Sequence, residues 1–189
     1  MNALEVLVII ALILGIWYPT GSWLGRRFMK RIAGSCIELG GTLRIITPNS
    51  ILVEHRIEGY RYVGIYIEWL PFDNPLNLAA KLIARRRAIA VIKIQPENPI
   101  QGEASITRED LARGSGDKID GYRATYRGIS RPRLEYIVRR TKDKGFEKLV
   151  IGSKPNITII TTISRRKCSE ILSKSIDLVR ELQAYKAIE

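Results

Sequence analysis

Histidine occurs once in this chain, and cysteine and methionine twice each; glutamine is also scarce. With His55 alone, a zinc site built from several imidazoles is ruled out, and a Ser/His triad would have to form around that one ring. Cys36 and Cys168 match no metal-ligand spacing and no disulfide framework, so both are expected to be reduced thiols. No stretch matches a P-loop, a dinucleotide-binding fingerprint or an EF-hand. No metal and no cofactor is therefore expected.

What is present is globular in character. The chain has 189 residues, 46% hydrophobic and 26% charged, a composition that folds. That length is about one domain with a short appendage, at roughly 100–200 residues per domain. Isoleucine and arginine are frequent. Abundant charge with few thermolabile side chains fits a heat-adapted source. The formal net charge is +12 and the pI about 10.0, which attracts nucleic acid, anionic headgroups or acidic partners.

The first segment is the strongest signal. Ala3 to Tyr18 carries one charge, Glu5, and nothing charged or strongly polar follows it from Val6 to Tyr18. Extended through Leu24, the run reaches the ~20 residues that cross ~30 Å of hydrocarbon. A cleaved signal peptide would need a basic start and a small-residue cleavage site, and both are missing. A buried core helix would show a polar stripe, and an interfacial helix a charged face. A transmembrane anchor is the expected structure. Trp17, Tyr18 and Trp23 mark its aqueous boundary, and Arg26, Arg27, Lys30 and Arg31 follow at once. Basic flanks stay on the cytoplasmic side. The expected topology is single-pass in the cell membrane, with the N-terminus outside and the C-terminal domain in the cytoplasm. The basic flank would lie against anionic headgroups, at ~1 kcal/mol per residue near the surface. Residues 1–31 form the anchor and its flank, and residues 32–189 the domain.

Beyond the anchor, Leu43–Thr47, Ile51–Ile57 and Tyr62–Leu70 are rich in β-branched and aromatic residues and read as a three-stranded meander. Asp73-Asn74-Pro75 opens a helix running to about Arg87. Ala88–Gln95 reads as a buried strand. From Pro96 to Gly121 the chain looks least ordered, with a short helical turn at Thr107–Asp110. Tyr122–Arg127 reads as a short strand. Ser130-Arg131-Pro132 opens an amphipathic helix that Gly145 closes. Lys148–Ile151 and Ile157–Ile163 flank a hairpin turn, and a last helix covers Lys167 to Lys186. Hairpins and helices mix without strict alternation. The expected fold is α+β, a mostly antiparallel sheet with helices on one face, preceded by the transmembrane helix.

Several residues could carry chemistry. The glycine-rich loop Gly114–Gly121 could present backbone N–H groups to phosphate, although a plain surface loop accounts for it better. Glu54, His55 and Glu58 place carboxylates near the imidazole, but Glu54 and His55 point to opposite faces of a strand. Ser35-Cys36 has no adjacent base. No catalytic residue is assigned. The basic runs carry more weight: Arg85, Arg86 and Arg87; Arg139 and Arg140 with Lys142 and Lys144; and Arg165, Arg166 and Lys167. Arg123, Arg127, Arg131 and Arg133 lie among them, interleaved with Tyr122 and Tyr126. Gathered on one face they would bind a polyanion; scattered, they would be solvated charge.

Three functions follow as expectations. The first is a membrane-anchored cytoplasmic binding or adaptor domain without catalytic chemistry, a subunit of a membrane-associated complex that partners the bilayer and another protein. The second is a membrane-tethered nucleic-acid binder using the Arg/Tyr-rich surface. The third is an enzyme acting on a phosphorylated or lipid-borne substrate near residues 114–121.

Overall fold

The structure, a computed structural model, describes residues 2–83, 88–152, 156–163 and 167–186. It opens on one long helix, α1 (Ala3–Ile37), of 35 residues. Asn2 and Glu5 cap it reciprocally: Glu5 N–H donates to Asn2 Oδ1 and Asn2 N–H to Glu5 Oε2, both at 2.9 Å. That satisfies two of the N–H groups a helix start leaves without partners. The helix runs on through Pro19, which has no N–H to donate to the Gly15 carbonyl one turn back.

α1 has two halves with different surroundings. From Ala3 to Thr20 every residue is exposed, whereas Gly21, Ser22, Gly25, Met29, Ala33 and Cys36 are buried. After the adjacent pair Gly21 and Ser22 those positions fall three or four apart, so one stripe of the second half faces the sheet. Arg26, Arg27, Lys30 and Arg31 occupy the other side and are exposed. The helix therefore continues through residue 31 and into the core without a linker.

The sheet follows as β1 (Thr42–Thr47), β2 (Ser50–His55), β3 (Tyr60–Glu68), β4 (Ile89–Pro96), β5 (Glu103–Arg108), β6 (Asp117–Ile119), β7 (Tyr122–Arg127), β8 (Lys148–Ile151) and β9 (Ile157–Thr162). Interspersed are α2 (Pro75–Ile83), α3 (Arg131–Asp143) and α4 (Cys168–Lys186). All nine strands join one sheet in the order β1-β2-β3-β4-β9-β8-β5-β7-β6, with every pairing antiparallel. The α+β class expected from the sequence is what forms. Alternation does the sorting: Val63, Ile65 and Ile67, then Ala90, Ile92 and Ile94, then Ile157 and Ile159 point inward and are almost wholly buried. Helix residues Leu134, Ile137 and Val138 of α3, and Ile171, Leu178, Val179 and Leu182 of α4, complete that core.

Of three expectations, two change and one falls partly outside the described residues. The stretch from Pro96 to Gly121 is not the least ordered part. It contributes β5, a 3-10 turn at Glu109–Leu111, and β6. β5 is an inner strand, with Ala104 and Ile106 buried between β7 and β8. Second, α2 is described only as far as Ile83; Arg85, Arg86 and Arg87 lie outside the described residues, as do Arg165 and Arg166.

The third is the cysteines. Cys36 and Cys168 are not reduced thiols but a disulfide, with Cα atoms 5.5 Å apart and a sequence separation of 132. Both are buried. The bond joins the last turn of α1 to the first of α4, where Ser169 N–H also donates to Ser35 Oγ at 3.2 Å. Two isolated cysteines at that separation carry no sequence sign of their proximity, which the fold alone creates.

His55 lies at the end of β2 on the inner face and is buried. Its Nε2 has no hydrogen-bond partner among the described residues. Desolvation lowers its pKa below the ordinary value of 6.5. The folded state holds the ring neutral while the unfolded chain takes up a proton below that value. Stability should therefore be undiminished above pH 6.5 and fall as the pH drops toward the folded pKa. Urea denaturation at pH 7.5, 6.5 and 5.5 would show this slope, and His55→Leu should flatten it; an equal slope in the variant would place its origin elsewhere.

Candidate functional site: the helix–sheet junction and the open sheet face

Two surfaces stand out. The first is where the sheet meets α1. The β1–β2 turn and the segment after β3 both reach the helix at its glycines. A side chain at Gly25 would press on Pro48 O and Asn49 Oδ1, both at 3.2 Å, and one at Gly21 would fall on the backbone of Phe72. Glycine at these two positions is what lets the backbones approach. Trp17 Nε1 donates to Phe72 O at 2.9 Å. Phe28 stacks on Trp69 at 6.3 Å and on Phe72 at 5.8 Å, within the ordinary range for offset aromatic pairs. Trp69 N–H donates to Asn49 O at 2.8 Å, and Asn49 Nδ2 donates to Asp73 Oδ1. Arg27 lies over the Trp23 ring at 5.4 Å.

α2 begins here. Asn74 serves as its cap, with Asn77 N–H donating to Asn74 Oδ1 at 3.0 Å. Between α2 and α1 runs a cleft of about 530 Å³ lined by Ile13, Ile16, Trp17, Leu24, Phe72 and Leu78 among others, nearly all of it apolar. The aromatic positions expected at a membrane boundary, Trp17, Tyr18 and Trp23, are exposed on this same stretch of helix. Trp69 and Phe72 join them from the domain, and the sequence reading missed that. Their signal was only proximity in the fold.

The second surface is the sheet's outer face, away from the core. The register places Arg44, Leu52, Tyr66, Val91, Ile160 and Lys148 in one cross-strand row. The row continues through Thr107, Arg123 and Lys118. Its middle is apolar and its ends are basic. Leu52, Tyr66 and Val91, with Tyr62, Ile46 and Lys93, line a shallow depression of about 480 Å³ over Gly64. The row was not assigned from sequence, although the alternation Tyr62, Gly64, Tyr66 against Val63, Ile65, Ile67 was visible in β3.

The basic residues singled out earlier are distributed as follows. Arg133 is nearly buried in α3. Arg131 pairs with Asp117 at 3.2 Å and Glu135 at 3.3 Å. Arg140 pairs with Glu181 at 3.4 Å and lies over Tyr136 at 5.3 Å, while Lys144 meets the same Glu181 at 2.9 Å. Lys142 pairs with Asp120 at 2.5 Å. Arg123 donates to Gly114 O, holding the glycine-rich loop against β7. Arg127, Arg139 and Lys167 are exposed. Much of this charge is thus spent inside networks with carboxylates, which suits a protein rich in ion pairs. Glu54 and His55 lie on opposite faces, Glu54 half-buried on the outer one and His55 buried on the inner. Among the described residues, no group of three His, Cys, Asp or Glu side chains gathers as a metal site.

No protein-family model matches this chain, and no curated protein matches it either.

Proposed function

We propose that this is a single-pass membrane protein whose C-terminal domain binds a protein partner on the open face of its sheet, as an adaptor or subunit of a membrane-associated complex. The carrying observation is the asymmetry of that sheet. Helices cover one face, while the other presents Leu52, Tyr66, Val91 and Ile160 as an apolar row with basic ends. Aromatic and aliphatic groups ringed by polar ones are what protein interfaces are built from. The basic ends suit a partner with an apolar ridge between acidic side chains.

The anchoring half of this reading is supported by α1, the one described helix that is long and apolar enough to cross a membrane. Its exposed cations Arg26, Arg27, Lys30 and Arg31 favour a cytoplasmic domain with the N-terminus outside. The disulfide is compatible with that side, because its sulfurs are shielded from reductants by burial and because intracellular disulfides are frequent in heat-adapted organisms.

The test is site-specific photocrosslinking in native membranes, with benzoylphenylalanine replacing Tyr66 and, as a control, Arg139 on α3. A discrete adduct at Tyr66 alone is expected. A protein that crosslinks to nothing at Tyr66 and migrates at monomer mass after mild solubilisation would count decisively against the reading.

A further inference from the structure

We infer that α2 is a second membrane element, lying in the bilayer interface beside the anchor with its apolar face in lipid. This rests on the proposed spanning by α1, and it concerns a part of the domain that spanning alone does not require to touch the membrane.

The helix is inside-out for a domain surface. None of its residues is buried, yet Leu76 is 81% and Ile83 84% exposed. At 100° per residue, Leu76, Ala79, Ala80 and Ile83 share one face, and Asn77 and Lys81 the opposite flank. Lys81 Nζ reaches back to Glu68 Oε1 at 2.8 Å. The Lys81 side therefore turns toward the sheet, and the face of Leu76 and Ile83 turns away from it. An amphipathic helix in water does the reverse.

Depth along α1 says what covers that edge. Among the described residues, the first hydrogen bond from α1 to the body of the domain is Trp17–Phe72. From Ala3 to Trp17 is about 22 Å of helix at 1.5 Å per residue, whereas hydrocarbon is ~30 Å thick and needs ~20 residues. A span beginning at Ala3 therefore ends near Ser22, roughly a turn and a half beyond the level of Phe72. Phe72 and α2 must lie at the hydrocarbon boundary or just inside it. The cleft between Ile13, Ile16, Leu24 and Leu78 opens at the same level and offers water almost no polar surface. Acyl chains would fill it. The capped start of α2 leaves no backbone donor of Asn77 or Leu78 unpaired there, and a helix in the interface must satisfy its own backbone.

The experiment uses the full-length chain in nanodiscs of phosphatidylcholine and phosphatidylglycerol. The native cysteines are locked in a buried disulfide, so single cysteines can be introduced and spin-labelled as Leu76→Cys, Ile83→Cys, Leu12→Cys and Thr125→Cys. Collision with oxygen, which concentrates in lipid, is compared with collision with a water-soluble nickel chelate. Labels at 76 and 83 are expected to favour oxygen several-fold over the Thr125 label on the open sheet face, as Leu12 does. If Leu12 favours oxygen while 76 and 83 favour the chelate, the inference fails and the span stands. If Leu12 also favours the chelate, spanning fails and this inference with it. Dipolar broadening between labels at 76 on two chains, with neither reagent admitted, would assign the face to a second copy and overturn the lipid assignment.

Discussion

Removing the disulfide with Cys36→Ala/Cys168→Ala is expected to lower the melting temperature by roughly 10–20 °C, from a loop-closure contribution approaching ~5 kcal/mol and ~2–4 °C per kcal/mol at this size. The effect should be large because the two cysteines are 132 residues apart in sequence, so the crosslink restricts most of the unfolded domain. It should also be local in its structural consequence. The bond fastens α1 to α4, where the two helices also pack together and Ser169 N–H donates to Ser35 Oγ. In the variant, amide exchange should accelerate first in the last two turns of α1. Calorimetry in detergent with and without the substitutions gives the shift. Denatured wild-type protein should show no thiol reactive to Ellman's reagent before reduction. A melting temperature unchanged within a degree or two in the variant, or two free thiols in the denatured wild type, would refute the account.

Asn156→Leu is expected to cost about 3–5 kcal/mol, because it strands two buried polar groups and a part-buried one, and each buried group costs ~1–3 kcal/mol when left without a partner. Asn156 is 3% exposed. Its Oδ1 accepts from Ile100 N–H at 2.7 Å, and its Nδ2 donates to Ile100 O at 3.0 Å and Gly152 O at 2.9 Å. The side-chain amide thereby imitates a peptide group, pairing the Ile100 segment as a strand would. This holds the connection between β4 and β5 against the β8–β9 hairpin. Leucine has similar volume but no polar atom, so both groups of Ile100 would lose their partner in a water-poor setting. Asn156→Asp keeps the acceptor, loses both donations and adds a charge, and should be no better. Urea midpoints for the three proteins decide it; a loss below about half a kcal/mol in Asn156→Leu would mean water takes over the role.

The local parts of this fold were legible and the distant pairings were not. β-branched alternation marks β2, β3, β4 and β9, because a half-buried strand needs one apolar face and these sequences supply it. α3 and α4 were visible from their periodic leucine, isoleucine and valine. β5 was hidden because Glu103 to Arg108 is short, flanked by proline and glycine, and offers only Ala104 and Ile106 as inward residues. Nothing local states that β4 pairs with β9 or that β5 lies between β8 and β7. The same holds for the candidate surfaces. The aromatic cluster Trp17, Tyr18 and Trp23 lies in one contiguous stretch, so it is visible in the sequence. The row through Leu52, Tyr66, Val91 and Ile160 exists only after four strands come into register. The inversion of α2 escaped because the pattern of an amphipathic helix does not say which medium each face meets.

The missing hinge in α1 has a mechanical consequence. One helix of 35 residues is both the apolar segment and a structural member of the core, about 52 Å of rod at 1.5 Å per residue. Most tethered domains hang from a flexible leash and sample a hemisphere of positions. Under the proposed anchoring this domain cannot. Any tilt of the rod within the bilayer tilts the sheet by the same angle, and the outer face is carried at a set height and bearing above the lipid. A partner embedded in the same membrane would meet that face after a search in two dimensions with little orientational freedom left to lose, whereas a partner arriving from solution would gain nothing from the arrangement.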